Sequence, residues 1–121
     1  MKAENYFASK MSESGLNFSF EDEWFDFMVN NHKVEVKSCQ PSVKQGYGFR
    51  AGRFDFTKKS SREKQFNENI WICLILNHEE EFMILGFVRA RDLNKKRYIA
   101  LSNIRKLNLL SLREWIGEIN D

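Results

Sequence analysis

The sequence predicts a mixed α/β (α+β) domain spanning residues 1–121, with a mixed central β-sheet of about five strands flanked by helices. Three observations carry that expectation. Apolar residues recur at helical spacing near both ends of the chain. The first third contains two alternating segments around an Asn-Asn pair. The middle contains "IWICLIL", a continuous apolar run suited to a strand buried on both faces.

Taken in order, residues 2–14 place Ala3, Phe7 and Met11 at i, i+4 and i+8, with Tyr6 and Ala8 alongside. This is an amphipathic helix, and Gly15 follows as its C-terminal cap. "LNFSFEDE" alternates and begins a strand. "WFDFMV" and "KVEVKS" make two more strands joined by Asn30-Asn31, a favourable pair for a two-residue type I′ turn. "GYGFRAGRFDF" is glycine-punctuated and reads as loop, then strand. "TKKSSREKQFNEN" is polar, either a short helix or an exposed connection. "NHEEE" turns the chain from "IWICLIL" into the strand "FMILGFVRA", and "RYIAL" is a further strand or extended segment. Ser111 and Glu114 have the spacing of a capping box for a last helix carrying Leu112, Trp115, Ile116 and Ile119.

Composition narrows the class. Hydrophobic residues make up 42% of the chain, with eleven Phe and three Trp, enough for one packed core. There is one Pro and no low-complexity tract, which argues against long disorder. No apolar run reaches the roughly 18–20 residues of a membrane span, and the N-terminus lacks the apolar region of a signal peptide. Cys39 and Cys73 lack metal-ligand spacing and read as reduced thiols in or near the core. A cytoplasmic, intracellular protein is therefore expected. The net charge is only +2, but it is unevenly placed. Residues 1–35 carry net −4, residues 41–64 net +5 and residues 86–113 net +7. An acidic pole beside two basic segments suits a polyanionic partner and a divalent cation.

The hairpin supplies the chemistry. With Asn30-Asn31 as the turn, Val29 meets His32, Phe27 meets Val34, Asp26 meets Glu35, Phe25 meets Val36 and Trp24 meets Lys37. Alternation then puts Phe25, Phe27, Val29, Val34 and Val36 on a core face, and Asp26, Glu35 and Lys37 on the other. Sliding the turn to Asn31-His32 changes the partners but keeps the three charged residues together. A three-residue loop would separate Phe25 and Phe27 from Val34 and Val36, and the apolar pattern rejects it. An ordinary solvated face is the alternative, with Lys33 and Lys37 neutralising the two acids. Like charges directly opposite are destabilising, so a carboxylate pair calls for a reason. Two carboxylates can share one hard cation, and Mg²⁺ is typically held by one or two carboxylates plus substrate phosphate. A lysine beside them can orient or deprotonate the attacking water, or stabilise charge on a phosphorane-like transition state.

Asp26, eight intervening residues and then "EVK", following an N-terminal helix, resembles the PD-(D/E)xK nuclease superfamily. Within it, the chain resembles the short archaeal Holliday-junction resolvases and related viral or mobile-element nucleases. The resemblance covers roughly residues 2–76 and implies a restriction-endonuclease-like core and metal-dependent cleavage of DNA. It implies Asp26, Glu35 and Lys37 as catalytic residues, with Glu4 on the first helix as an additional acid. It also implies Asp26, Glu35 and the Val36 carbonyl as ligands of Mg²⁺, for which Mn²⁺ substitutes. Many members dimerise, so a homodimer is an implied partner beside DNA. Phe25 stands where the family often has Pro, and only Lys2 precedes the helix where junction resolvases carry a basic tail.

Independently of that resemblance, positions 4, 7, 8 and 11 form one helical stripe, so docking of Phe7 and Met11 should pull Glu4 towards the sheet; Glu13 and Glu21 are its rivals. The basic segments offer Lys44, Arg50, Arg53, Lys58 and Lys59 as phosphate contacts, with Tyr47 and Phe49 able to stack on bases. His32 and His78 read as solvated turn residues, and "GYGFRAG" lacks the Gly-Lys-Ser/Thr of a phosphate loop. Two other functions fit: a non-catalytic nucleic-acid-binding module of the same fold, and a partner-binding α+β domain.

Overall fold

The computed structural model describes residues 2–21 and 23–120; position 22, within the first expected strand, and positions 1 and 121 lie outside them. The fold is mixed α+β around a five-stranded sheet of order β1-β2-β3-β7-β8. The first helix, α1 (Lys2–Glu13), buries Ala3, Phe7 and Met11, as its spacing predicts. It ends in a Schellman motif. Gly15 takes φ 70°, its N–H donates to the Ser12 carbonyl, and the Leu16 N–H donates to Met11. Met11 and Leu16 then pack in one apolar cluster.

Strands β1 (Phe18–Phe20), β2 (Phe27–Val29) and β3 (His32–Cys39) form an antiparallel meander. Asn30 and Asn31 have φ 45° and 68°, the two positive values a type I′ turn needs. The expected register holds at Val29 with His32 and at Phe27 with Val34. There it stops. Residues 23–26 are bends, so the expected strand "WFDFMV" is half its length, and the pairs 26–35, 25–36 and 24–37 do not form. The Asp26 N–H donates to the Val34 carbonyl at 3.1 Å. Its carboxylate accepts the Val36 N–H at 2.8 Å. A side-chain oxygen has taken the place of the next ladder acceptor, the competition with backbone pairing that Asp is prone to. The chain therefore turns. Phe25, expected beside Phe27, is instead buried on the opposite side of the sheet, with Cys39, Phe54, Ile72 and Leu74.

After β3 come a two-stranded ribbon, β4 (Ser42–Gln45) and β5 (Gly48–Ala51), and then β6 (Arg53–Asp55). The ribbon replaces the loop expected over the glycine-rich stretch. Helix α2 (Lys59–Glu68) leads into β7 (Trp71–His78), which pairs parallel to β3 and antiparallel to β8 (Glu81–Arg89). β9 (Tyr98–Ala100) pairs with β6, and α3 (Leu112–Ile119) closes the chain with both hydrogen bonds of the Ser111–Glu114 capping box.

The sheet is buried on both faces. Phe27, Val34, Val36, Trp71, Cys73 and Ile75 pack with residues of α1 and α3. Ile72 and Leu74 point the other way, towards Phe54, Phe56 and Ile99. β7 accordingly carries the continuous apolar run that a doubly covered strand requires. Glu35 and Lys37 share the parity of Cys39, so they leave β3 on the Phe54–Phe56 side. Among the described residues no helix is long and apolar enough to cross a membrane.

Candidate active site

Asp26, Glu35 and Lys37 line one cleft of about 190 Å³. Its far wall comes from the segment entering α2 and from α2 itself: Phe56, Lys58, Ser61, Arg62 and Gln65. Each acid reaches the cleft by a different local device. Glu35 and Lys37 are alternate residues of a regular strand and must share a face. Asp26 arrives because the chain bends out of β2 and pins its carboxylate to the Val36 N–H.

Lys37 Nζ lies 3.2 Å from Glu35 Oε2, with the two side chains only 27% and 12% exposed. This is a shielded pair, not the ordinary solvated face. Lys37 also sits over the Phe56 ring, 5.3 Å from its centre. Lys33, the other candidate for neutralising the acids, turns away to pair with Glu68 and covers the Trp24 ring.

Burial pushes the Asp26 carboxyl up to about 7 from an ordinary 3.8, and the Glu35 charge beside it pushes the same way. The Val36 N–H and Lys37 oppose the rise without cancelling it. Glu4 is also raised, first by burial and then by the charge of Asp26 nearby. The α1 stripe thus brings Glu4 to Asp26. It does not complete a three-acid centre: among the described residues no group of three or more His, Cys, Asp or Glu is arranged to hold a metal ion.

The donor set still fits a hard divalent cation. Asp26 and Glu35 are oxygen donors whose mutual repulsion is costly in a half-buried cleft, and a cation relieves it. A strand residue directs its N–H and C=O to the same edge, so the Val36 carbonyl faces the edge where Asp26 meets its N–H. Two carboxylates and one carbonyl leave the remaining positions to water and phosphate, the usual division for Mg²⁺.

Of the other basic residues anticipated, only Lys58 lines the cleft. Arg53 is paired with Asp55 at 3.0 Å and lies over the Tyr98 ring at 4.7 Å. Lys44 and Arg50 belong to the β4–β5 ribbon, and Lys59 opens α2 outside the cleft lining. His32 and His78 do not line it either.

Sequence reasoning missed Arg62 and Gln65. Arg62 Nη1 donates to the Phe56 carbonyl at 2.8 Å, while its buried Nε has no acceptor among the described residues. Gln65 is 4% exposed and donates to the Trp24 carbonyl at 2.9 Å, which anchors the bend ahead of Asp26. Lys58 is the N-cap of α2, and positions 61, 62 and 65 follow at i, i+1 and i+4 in a stripe on one side of the helix. The stripe is polar, and apolar periodicity could not reveal it. No family model matches the chain, and no curated protein does.

Proposed function

We propose that this protein is a cytoplasmic, metal-dependent DNA endonuclease with a restriction-endonuclease-like core, using Mg²⁺ or Mn²⁺. The observation that carries the reading is the meeting of Asp26, Glu35 and Lys37 in one cleft walled by Lys58 and Arg62. Carboxylates that repel each other sit opposite cations that would attract phosphate, the pairing that phosphodiester hydrolysis needs.

Hydrolysis adds a water oxygen to phosphorus and breaks one ester P–O bond; the water loses a proton and the leaving oxygen gains one. Asp26, Glu35 and the Val36 carbonyl would hold the cation, which when bound polarises the phosphoryl oxygen and supplies Lewis acidity. Lys37, tethered by Glu35, is placed to donate to a phosphate oxygen as negative charge builds there, or to orient the attacking water. Arg62 offers a guanidinium already fixed on one side by the Phe56 carbonyl, so little freedom is lost when it meets phosphate. Glu4, whose carboxyl the charge of Asp26 raises, would be the additional acid beside the site. In a homodimer, two such clefts would serve two strands.

A second reading has one observation in its favour. Lys37 already neutralises Glu35 at 3.2 Å, as it would in a non-catalytic nucleic-acid-binding module of the same fold. Incubation with branched, duplex and single-stranded DNA, with and without Mg²⁺ or Mn²⁺, separates the two. Metal-dependent cleavage lost in Glu35→Ala is expected. Binding without cleavage of any substrate would select the second reading.

A further inference from the structure

Among the described residues the β4–β5 ribbon pairs with no strand outside itself. Yet it carries two of the most exposed aromatic side chains of the protein, Tyr47 at 112% and Phe49 at 73%. Tyr47 occupies the two-residue tip beside Gly46, whose φ of 60° makes the tight turn. Cross-strand pairing sets Lys44 opposite Phe49 on one face. Arg50, opposite Val43, lies on the other. No acid occurs between Pro41 and Phe54, so nothing on the ribbon offsets its positive charge.

The root is fixed. Gly52 donates to the Pro41 carbonyl at 3.0 Å and accepts from the Leu101 N–H at 2.8 Å. A Cβ on Gly52 would fall 1.6 Å from the Gln40 carbonyl oxygen, so the two strands meet there more closely than any other residue permits. A rigid root with a bare aromatic tip is a presenting device. Aromatics interleaved with cations match the two chemistries of a nucleic-acid strand, stacking faces and phosphates.

We propose that this ribbon is a wing that engages unpaired nucleobases. Tyr47 and Phe49 stack on bases exposed at a branch or in a single strand, while Lys44 contacts the adjoining phosphate. The proposal rests on the nucleic-acid reading of the cleft, and it adds a substrate preference: paired duplex offers the tip no free base face.

The test uses the full chain without divalent cations, measuring anisotropy on branched, single-stranded and fully paired DNA of equal length. Tyr47→Ala should weaken binding to branched and single-stranded DNA roughly ten-fold while changing duplex binding by less than about two-fold. Tyr47→Trp should restore it, because stacking area is kept. Unchanged affinity for branched DNA, equal loss on duplex, or a Tyr47-dependent shift in sedimentation, indicating self-association, would each overturn the wing. So would Tyr47-dependent binding to anionic phospholipid vesicles in place of DNA. Cleavage assays keep the two readings apart. A parent that cuts DNA while Tyr47→Ala binds and cuts like it removes the wing and leaves the cleft. A parent that never cuts, yet binds through Tyr47, removes the nuclease and leaves the wing. A parent that binds no DNA removes both.

Discussion

Replacing Asp26 by Asn should stabilise the metal-free protein at pH 8 while abolishing cleavage. The carboxyl is raised from 3.8 to about 7 by burial and by the neighbouring charge of Glu35. Between those values the folded protein binds more protons than the unfolded chain. Stability contributed by protonated Asp26 is therefore present at low pH, falls as pH rises from about 4 to about 7, and is level above that. The interval sets a ceiling of about 4 kcal/mol. Solvent access at this half-buried site reduces it to roughly 1–3 kcal/mol. Asn keeps the shape and an oxygen to accept the Val36 N–H, and its amide can donate to Glu35, so the repulsion goes and the hydrogen bond stays. Urea denaturation of both proteins in chelator, from pH 4 to pH 8, reads the difference directly. The variant should gain on the parent as pH rises, reaching a thermal midpoint about 4–12 °C higher at pH 8. Added Mg²⁺ should stabilise the parent at pH 8 far more than the variant. Parallel stability curves across the whole pH range would refute the reasoning, since ionised Asp26 would then cost nothing.

Glu35→Ala and Lys37→Ala should lower the cleavage rate by about 10²-fold or more while DNA affinity stays within a few-fold. Single-turnover assays with saturating enzyme make the comparison, and loss of binding equal to loss of cutting would place both residues in recognition. Asp26→Asn should lower the Glu4 titration midpoint, because the charge of Asp26 that raises Glu4 is gone. Carboxyl-specific NMR or infrared titration reads that shift, and no movement would detach Glu4 from the site. Lys58→Ala should reduce the log–log salt dependence of DNA binding by about one unit. Arg53→Ala should change it by less, because Asp55 already holds that guanidinium at 3.0 Å.

The elements whose causes are local were legible in the sequence. Asn30 and Asn31 tolerate positive φ, which sets the turn and with it the register of Phe27 and Val34. Ser111 and Glu114 close their own capping box within one helical turn. Strict alternation along β3 placed Glu35 and Lys37 on one side whatever the rest of the chain did. Other features depended on contacts between distant segments. The strand through Asp26 stops because its carboxylate finds the Val36 N–H ten residues on, and that choice moves Phe25 to the opposite core. The β4–β5 ribbon forms over a stretch whose glycines read equally well as loop. Most of all, the cleft needs α2, whose inward stripe of Ser61, Arg62 and Gln65, with Lys58 at its N-cap, carries no apolar signal. The sequence alone determined which charged residues could meet on the hairpin, because periodicity is a property of the backbone. Only the tertiary structure decided what faces them, because a polar wall becomes visible only when packing has brought it across the sheet.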